Sequence, residues 1–240
     1  MLNAILQGKS GRVVKDGISQ SWRSVFKHYE DMLTAAFWTR INYLSTGAMD
    51  RFLDSLLGIN RDDWGAFESM SFWPKYSFPQ VLPDNLKSDL GREASYAEPD
   101  VVMNFEHAAL IVEVKHPGGG WQTRDQWRRE LESYMQDDGA KSHVHFMALG
   151  NVPQAASQWF SELTTTFPTV YFYSKEWDDV RQQLQHAEWN TPQDKRIVAD
   201  CLNALSLYGI REPLLPWKDF YPFIAQHPLS TDFSFVKAQS

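Results

Sequence analysis

The sequence predicts an α/β protein in which a mixed β-sheet is flanked by helices. Segments with helical periodicity alternate with short β-rich runs, and two of these runs flank a polar tip, as in a hairpin. The chain has 240 residues, and its hydrophobic fraction of 43% is enough to bury a core. This composition excludes a disordered chain.

The first third of the chain is predicted to be mainly helical. Residues 1–20 are expected to form a loose, mildly basic leader. Apolar residues at a period of 3.6 predict a long helix over 21–45 and a shorter one over 48–58. Several prolines indicate irregular structure over residues 60–95, with a short strand near 76–82.

The remaining elements follow a hairpin predicted over residues 98–116. They are a helix over 123–137, a strand over 143–149, a helix over 154–166, a strand over 169–174, and helices over 176–188 and 192–208. We therefore predict a leader (1–20), a core (21–175) and a helical C-terminal extension (176–240) packed on that core as one domain. The proline- and aromatic-rich tail after Gly209 is expected to wrap the body or meet a partner.

Charge and composition limit the classes of partner and the cellular location that we expect for the chain. The formal net charge of −7 excludes a surface that is basic throughout, although a local basic groove is compatible with it. No run of about 18 apolar residues and no secretory signal is present, so we expect no membrane partner. The one cysteine, Cys201, is predicted to lie in the core. Because a single cysteine cannot form an intramolecular disulfide, we expect a reducing, cytoplasmic location. The ten tryptophans are predicted mainly as core or interface anchors, with base stacking as the alternative.

The hairpin carries the candidate chemistry. Glu113 and Lys115 are two residues apart on a strand, so their side chains leave the same face. If Glu106 and His107 form the tip, Asp100 lies directly opposite Glu113, with Cβ atoms ~5 Å apart. Two carboxylates this close repel each other, and a hard divalent cation between them would reverse the effect. A metal, an activated water and a lysine are the parts needed to hydrolyse a phosphodiester.

At these residues the chain resembles the PD-(D/E)XK nuclease superfamily, whose signature is matched by Pro99-Asp100 followed by Glu113-Val114-Lys115. The resemblance implies a restriction-endonuclease-like core of helix, three strands, helix and strand. It also implies Mg²⁺, with Mn²⁺ as a substitute, held by Asp100, Glu113 and the Val114 carbonyl. Lys115 would assist the attacking water or the transition state.

Two further site residues are implied by the same resemblance. Glu30, on the first predicted helix, would bind water or a second metal, and Gln126, on the helix after the lysine, would steady the site. Each has an alternative interpretation. Glu30 fits an ordinary carboxylate of an amphipathic helix. Gln126 fits the third position of a capping box that starts at Thr123.

Basic and histidine side chains near the hairpin have structural alternatives as well. Arg124, Arg128 and Arg129 are candidates for contacting phosphate, or they form a charged helix face. His143 and His145 share one face of a strand, but no further zinc ligands can be placed near them, so a structural role is favoured.

The leading hypothesis is a magnesium-dependent nuclease that hydrolyses DNA, and the chain also resembles bacterial members associated with phage defence and mobile elements. DNA is the expected partner, with a protein partner or a homodimer in addition. The alternative is a nuclease-fold subunit that binds DNA or protein and is inactive alone. A third hypothesis is a protein without nuclease activity, in which the hairpin charges are structural.

Overall fold

The computed structural model describes residues 4–5, 7, 9–15, 17–26, 29–77 and 96–212. Its strands are β1 (Arg12–Lys15), β2 (Ile18–Ser21), β3 (Phe67–Phe72), β4 (Tyr76–Ser77), β5 (Tyr96–Ala97), β6 (Val101–Phe105), β7 (Ala108–Val114), β8 (His143–Leu149) and β9 (Val170–Lys175). Its main helices are α1 (Trp22–Phe26), α2 (Glu30–Ile41), α3 (Thr46–Leu57), α4 (Arg124–Met135), α5 (Ala156–Thr166), α6 (Trp177–His186) and α7 (Pro192–Leu207).

Five strands form the central sheet in the order β3-β6-β7-β8-β9. Strands β3, β6 and β7 are antiparallel, whereas β7, β8 and β9 are parallel. The predicted mixed sheet flanked by helices is therefore confirmed. The hairpin register is also as predicted, because Val101 pairs with Val112 and Asn104 with Ala109.

Helices cover both faces of the sheet, which explains why all seven residues of β7 are buried. On one face, Val112 and Val114 pack in an apolar layer with residues of α2, α3, α6 and α7. On the other face, Ala109 and Ile111 pack with residues of α4 and α5. Cys201 lies fully buried in the first layer, as predicted. Glu113, which alternates with the two valines, must point toward α4.

The predicted helix over 21–45 is wrong in its continuity. The chain forms α1 up to Phe26 and starts again with α2 at Glu30, because Tyr29 adopts an extended backbone conformation. Helix α2 also ends at Ile41 instead of residue 45. The interruption places Glu30 in the first turn of a helix, where a carboxylate interacts favourably with the helix dipole.

The first strand of the sheet is not the one predicted. It is β3, in a region predicted to be irregular, and it pairs with β6 with a shift in register near Phe67. Tyr76 and Ser77 form a separate two-residue strand with β5, and the rest of the strand predicted near 76–82 lies outside the described residues. The residues of β3 are only partly buried or exposed, which is why their hydrophobic pattern is weak.

The leader contains a hairpin, which corrects the prediction of a loose segment. Strands β1 and β2 pair in a four-residue ladder. Gly17, in the turn between them, has a φ of 75°, a conformation that glycine adopts without strain. The predicted tail beyond residue 212 lies outside the described residues. Within the described ranges, none of the helices is long and apolar enough to cross a membrane.

A buried carboxylate, Asp194, joins the start of α7 to the start of α3. It accepts hydrogen bonds from the backbone N–H and the hydroxyl of Ser45, each at 2.9 Å, and from the Thr191 hydroxyl at 2.6 Å. Burial alone would raise the pKa of Asp194, but the hydrogen bonds from Thr191 and Ser45 hold the pKa below its ordinary value.

We predict that Asp194→Ala lowers the free energy of unfolding by ~1–3 kcal/mol at pH 7, because it removes the charged acceptor that Ser45 and Thr191 share. A carboxyl with a lowered pKa stabilises the fold at neutral pH, and this contribution is lost as the pH falls. The difference between wild type and variant should therefore shrink below about pH 4. Urea unfolding at several pH values measures it, with Asp138→Ala in an exposed turn as the control. Equal losses from the two variants would contradict the prediction.

Candidate functional site

Asp100 lies at the start of β6 and is fixed by two donors. Its carboxylate accepts a hydrogen bond from the backbone N–H of Val114 at 2.8 Å and another from the indole N–H of Trp73 at 3.0 Å. Trp73 has a φ of 49°, an unusual conformation for a tryptophan. Such strain persists only where surrounding contacts hold it, and it is commonest at functional sites.

The ammonium group of Lys115 is the centre of the site. It lies 2.5 Å from Oε1 of Glu113, 3.1 Å from Oε1 of Glu30 and 3.1 Å from the carbonyl oxygen of Val114. Lys115 is only 8% exposed. A buried ammonium requires anionic partners, and two carboxylates supply them here.

Glu30 reaches the site from the opposite side of the sheet end. Besides contacting Lys115, its carboxylate accepts a hydrogen bond from the backbone N–H of His116 at 3.0 Å. Gly120 packs closely against both side chains, because a Cβ there would lie 3.1 Å from Oε2 of Glu30 and 3.1 Å from Cδ of Lys115. Glu30 therefore does more than an ordinary amphipathic-helix carboxylate, since it connects α2 to the end of β7.

Gln126 forms only half of the predicted capping box, and its side chain contacts the acidic cluster. Its backbone N–H donates to Oγ1 of Thr123 at 3.3 Å, which is the first half of a capping box. Its side-chain amide donates instead to Oε1 of Glu113 at 2.6 Å and to Oε1 of Glu130 at 3.0 Å. The amide thus links the two carboxyl groups.

Two side chains that sequence reasoning did not assign to the site belong to it. Glu130 is 3% exposed, and within the described part of the chain its Oε2 has no hydrogen-bond partner. Gln122 is 2% exposed and donates to the carbonyl oxygens of Glu113 and Gly150, each at 3.2 Å. The spacing of four residues from Gln126 was an available signal for Glu130, whereas nothing in the sequence indicated Gln122.

The cluster holds more negative charge than Lys115 can balance. Burial, followed by repulsion from Glu113, raises the pKa of Asp100 to about 8. Burial raises the pKa of Glu130 to about 7, and burial with repulsion from Glu130 raises the pKa of Glu113 well above its ordinary value. Burial would lower the pKa of Lys115, but Glu113 and Glu30 raise it.

The donor chemistry fits a hard cation. Carboxylate and carbonyl oxygens are the ligands that Mg²⁺ prefers, and the unpartnered Oε2 of Glu130 lies in the same acidic cluster. As the side chains are arranged, however, the described residues contain no group of three or more His, Cys, Asp or Glu that could hold a metal ion. Three of the predicted ligand oxygens contact the Lys115 ammonium instead.

The three candidate arginines lie on α4, beside the cluster. Arg124 forms an ion pair with Glu162 at 2.6 Å, and Arg128 pairs with Glu132 at 2.7 Å, one helical turn along α4. Arg129 is partly exposed. The charged-face interpretation thus describes the present contacts of Arg124 and Arg128, and both pairs reach solvent, where ion pairs are weak.

The two strand histidines have a structural environment. The ring of His145 stacks on Tyr171, and its Nδ1 lies 3.0 Å from the hydroxyl of Tyr173. Burial lowers the pKa of His145 to about 4, so the ring is neutral at physiological pH. His143 is exposed.

A pocket of about 250 Å³ opens beside the cluster and is lined by Glu30, His116 and residues 118–120. The loop that forms its wall is well anchored. The side-chain amide of Asn151 donates to the carbonyl oxygens of His116 and Gly120 at 2.7 and 2.8 Å. The indole N–H of Trp177 donates to the Lys115 carbonyl at 2.9 Å. The pocket therefore gives solvent access to the Glu30 side of the cluster.

A comparison with models of known protein families finds no match. The chain is similar to a protein of Pasteurella multocida (strain Pm70) named Uncharacterized protein PM0110. The two are 23% identical over 236 residues, which cover 90% of this chain and 83% of that protein. This similarity carries no statement about activity, so the function must be inferred from the site.

The acidic cluster predicts a pH dependence of stability in metal-free protein. When the pKa of a carboxyl is raised on folding, the folded state binds more protons than the unfolded state between the two pKa values, so stability falls as the pH rises. We expect the free energy of unfolding to fall between about pH 5 and pH 8. Glu130→Gln should reduce that fall by ~2 kcal/mol, because glutamine cannot ionise.

Chemical unfolding across this pH range in the presence of a chelator measures the effect. Glu132→Gln, on the same helix but paired with Arg128, is the matched control and should leave the slope unchanged. A slope that is the same in wild type and Glu130→Gln would show that Glu130 is not held in a protonated acidic cluster.

Proposed function

We propose that this chain is a metal-dependent nuclease that hydrolyses DNA phosphodiester bonds. The observation that supports this function best is the burial of Asp100, Glu113 and Lys115 in one cluster at the end of the β6–β7 hairpin, joined there by Glu30 from α2. A purely structural role is a poor account of the cluster, because apolar residues would stabilise the same position without the cost of burying charge. A restriction-endonuclease-like core and a cytoplasmic location are parts of the same proposal.

Asp100, Glu113 and the Val114 carbonyl would hold the ion, with Glu30 or Glu130 reaching it directly or through water. When bound, Mg²⁺ lowers the pKa of a coordinated water and polarises the phosphate. Protons held by Asp100 and Glu130, whose pKa values are raised to about 8 and about 7, would be released, because carboxylates bind metals in their ionised form. Ion affinity should therefore increase as the pH rises from about 6 to 8.

The remaining side chains have roles that follow from their contacts. The Lys115 ammonium, once it faces a phosphate oxygen, would stabilise the charge that develops there. Gln126 positions the Glu113 carboxylate through a 2.6 Å hydrogen bond. Arg129, with Arg124 and Arg128 if their surface pairs open, would contact neighbouring phosphates.

The proposed metal site predicts that a divalent ion stabilises the fold. A ligand that binds only the folded state adds ~2.7 kcal/mol to the free energy of unfolding at a concentration one hundred times its Kd. Mg²⁺ or Mn²⁺ should therefore raise the thermal midpoint of the wild type and leave those of Asp100→Asn and Glu113→Gln nearly unchanged. Comparing each variant with and without the ion removes any effect of the substitution on folding itself.

Glu132→Gln is the control and should respond to the ion as the wild type does, because its carboxylate pairs with Arg128 on the helix surface. An equal response of Asp100→Asn, Glu113→Gln and wild type would refute the proposed metal site.

The proposed role of Lys115 predicts a loss of cleavage when its ammonium is removed. Lys115→Ala should lower the rate of DNA cleavage at least ~100-fold, because it removes a cation that stabilises the transition state. Stabilisation by Mn²⁺ should persist in this variant, because without the ammonium the buried carboxylates have no positive partner among the described residues other than the metal ion. Lys195→Ala, on the exposed side of α7, is the matched control and should cleave normally.

Cleavage by Lys115→Ala at the wild-type rate would overturn the catalytic assignment. A wild-type chain that binds Mn²⁺ but cuts DNA only after another protein is added would favour the subunit alternative.

A further inference from the structure

Trp121 is the most exposed of the large hydrophobic side chains among the described residues, with 75% of its surface in water. It lies in the loop between the end of β7 and the start of α4. Leaving an indole in water forgoes the stabilisation that burial of an aromatic side chain provides. The packing of the fold therefore gives no reason for a tryptophan at this position.

The backbone on both sides of Trp121 is fixed against the proposed catalytic cluster. Gly120 packs against Glu30 and Lys115, and its carbonyl accepts a hydrogen bond from Asn151. Gln122 is buried and donates to the carbonyl of Glu113. Since neighbouring Cα atoms are about 3.8 Å apart, Trp121 is attached directly beside these anchors.

The loop thus presents an exposed aromatic ring from a well-anchored position at the edge of the cluster. Binding to this ring costs little conformational entropy, because the backbone that carries the ring is already fixed. A phosphodiester in the cluster brings nucleobases of the same strand with it, and every base has a flat face that stacks on an aromatic ring. Arg124 begins α4 three residues later with an exposed side chain, which suits the backbone of that strand.

We infer that Trp121 is a stacking platform for one unpaired nucleobase next to the bond that is cut, an inference that rests on the proposed nuclease function. A base inside a duplex is already stacked on both faces, so the indole would reach only a base in a single strand, at a frayed end or extruded from the helix. The platform would make the enzyme prefer single-stranded DNA or DNA ends over the interior of a duplex.

Binding to labelled DNA tests this inference. The probe is a single strand of roughly 12 nucleotides, compared with the blunt duplex of the same sequence by fluorescence anisotropy. Ca²⁺ replaces Mg²⁺, and the integrity of the DNA is checked on a gel. Trp121→Ala should weaken single-strand binding roughly 5- to 100-fold, whereas Trp121→Phe should stay within about threefold of wild type because it keeps a stacking face.

An abasic scan identifies the stacked base. Removing one base at a time from the strand should weaken binding by the wild type at one position, and the same removal should have no effect on Trp121→Ala. Tyr43→Ala is the matched control, since Tyr43 is also a strongly exposed aromatic but follows the far end of α2. It should bind both probes as the wild type does.

Equal single-strand affinities of wild type and Trp121→Ala would overturn the platform, as would a wild type that binds no DNA. The first result leaves the nuclease proposal intact if the wild type still cleaves with Mg²⁺. A wild type that shows the Trp121 dependence but never cleaves would support the platform and refute the catalytic proposal, so the two failures are distinguishable.

Discussion

The burial of the Lys115 ammonium among carboxylates is the interaction on which the arrangement of the site depends. A cation in this position needs anionic partners on several sides, and they come from different parts of the chain: Glu113 from β7 itself and Glu30 from α2. The helix is interrupted before Glu30, so Glu30 lies in the first turn of α2 and contacts the residues that follow β7. The interruption between α1 and α2 thus accompanies the ion pair between Glu30 and Lys115.

The same cluster contains more carboxyl groups than cations, and this excess links the stability of the fold to the proposed binding of a metal ion. Burial raises the pKa of Asp100 to about 8 and that of Glu130 to about 7, so these two groups retain protons that ordinary carboxyl groups would have lost, and the pKa of Glu113 is raised as well. A divalent cation would replace those protons and relieve the repulsion. Under the proposed function, metal binding, proton release and stabilisation of the fold would be one event.

The loop between β7 and α4 gives this cluster its solvent-facing wall. Asn151, Gln122 and Trp177 hydrogen-bond to backbone carbonyls in or beside the loop, so its path is fixed from three sides. Gly120 is needed where the loop passes Glu30 and Lys115, because its φ of 78° and the close approach both disfavour a side chain. Within this loop, which the structure describes in full, Trp121 is the large hydrophobic side chain that faces solvent.

The sequence by itself determined the features that depend on local periodicity. The alternation of period two predicted that Glu113 and Lys115 leave one face, hairpin symmetry predicted the register that pairs Val101 with Val112, and Thr123 marked the start of α4. Only the tertiary structure decided that β3 is the strand beside β6 and that Glu30 reaches Lys115. It also brought Glu130 and Gln122 into the cluster. These features arise from long-range packing, in which residues far apart in the chain satisfy each other's buried charges and hydrogen bonds, and local patterns carry little information about such partners.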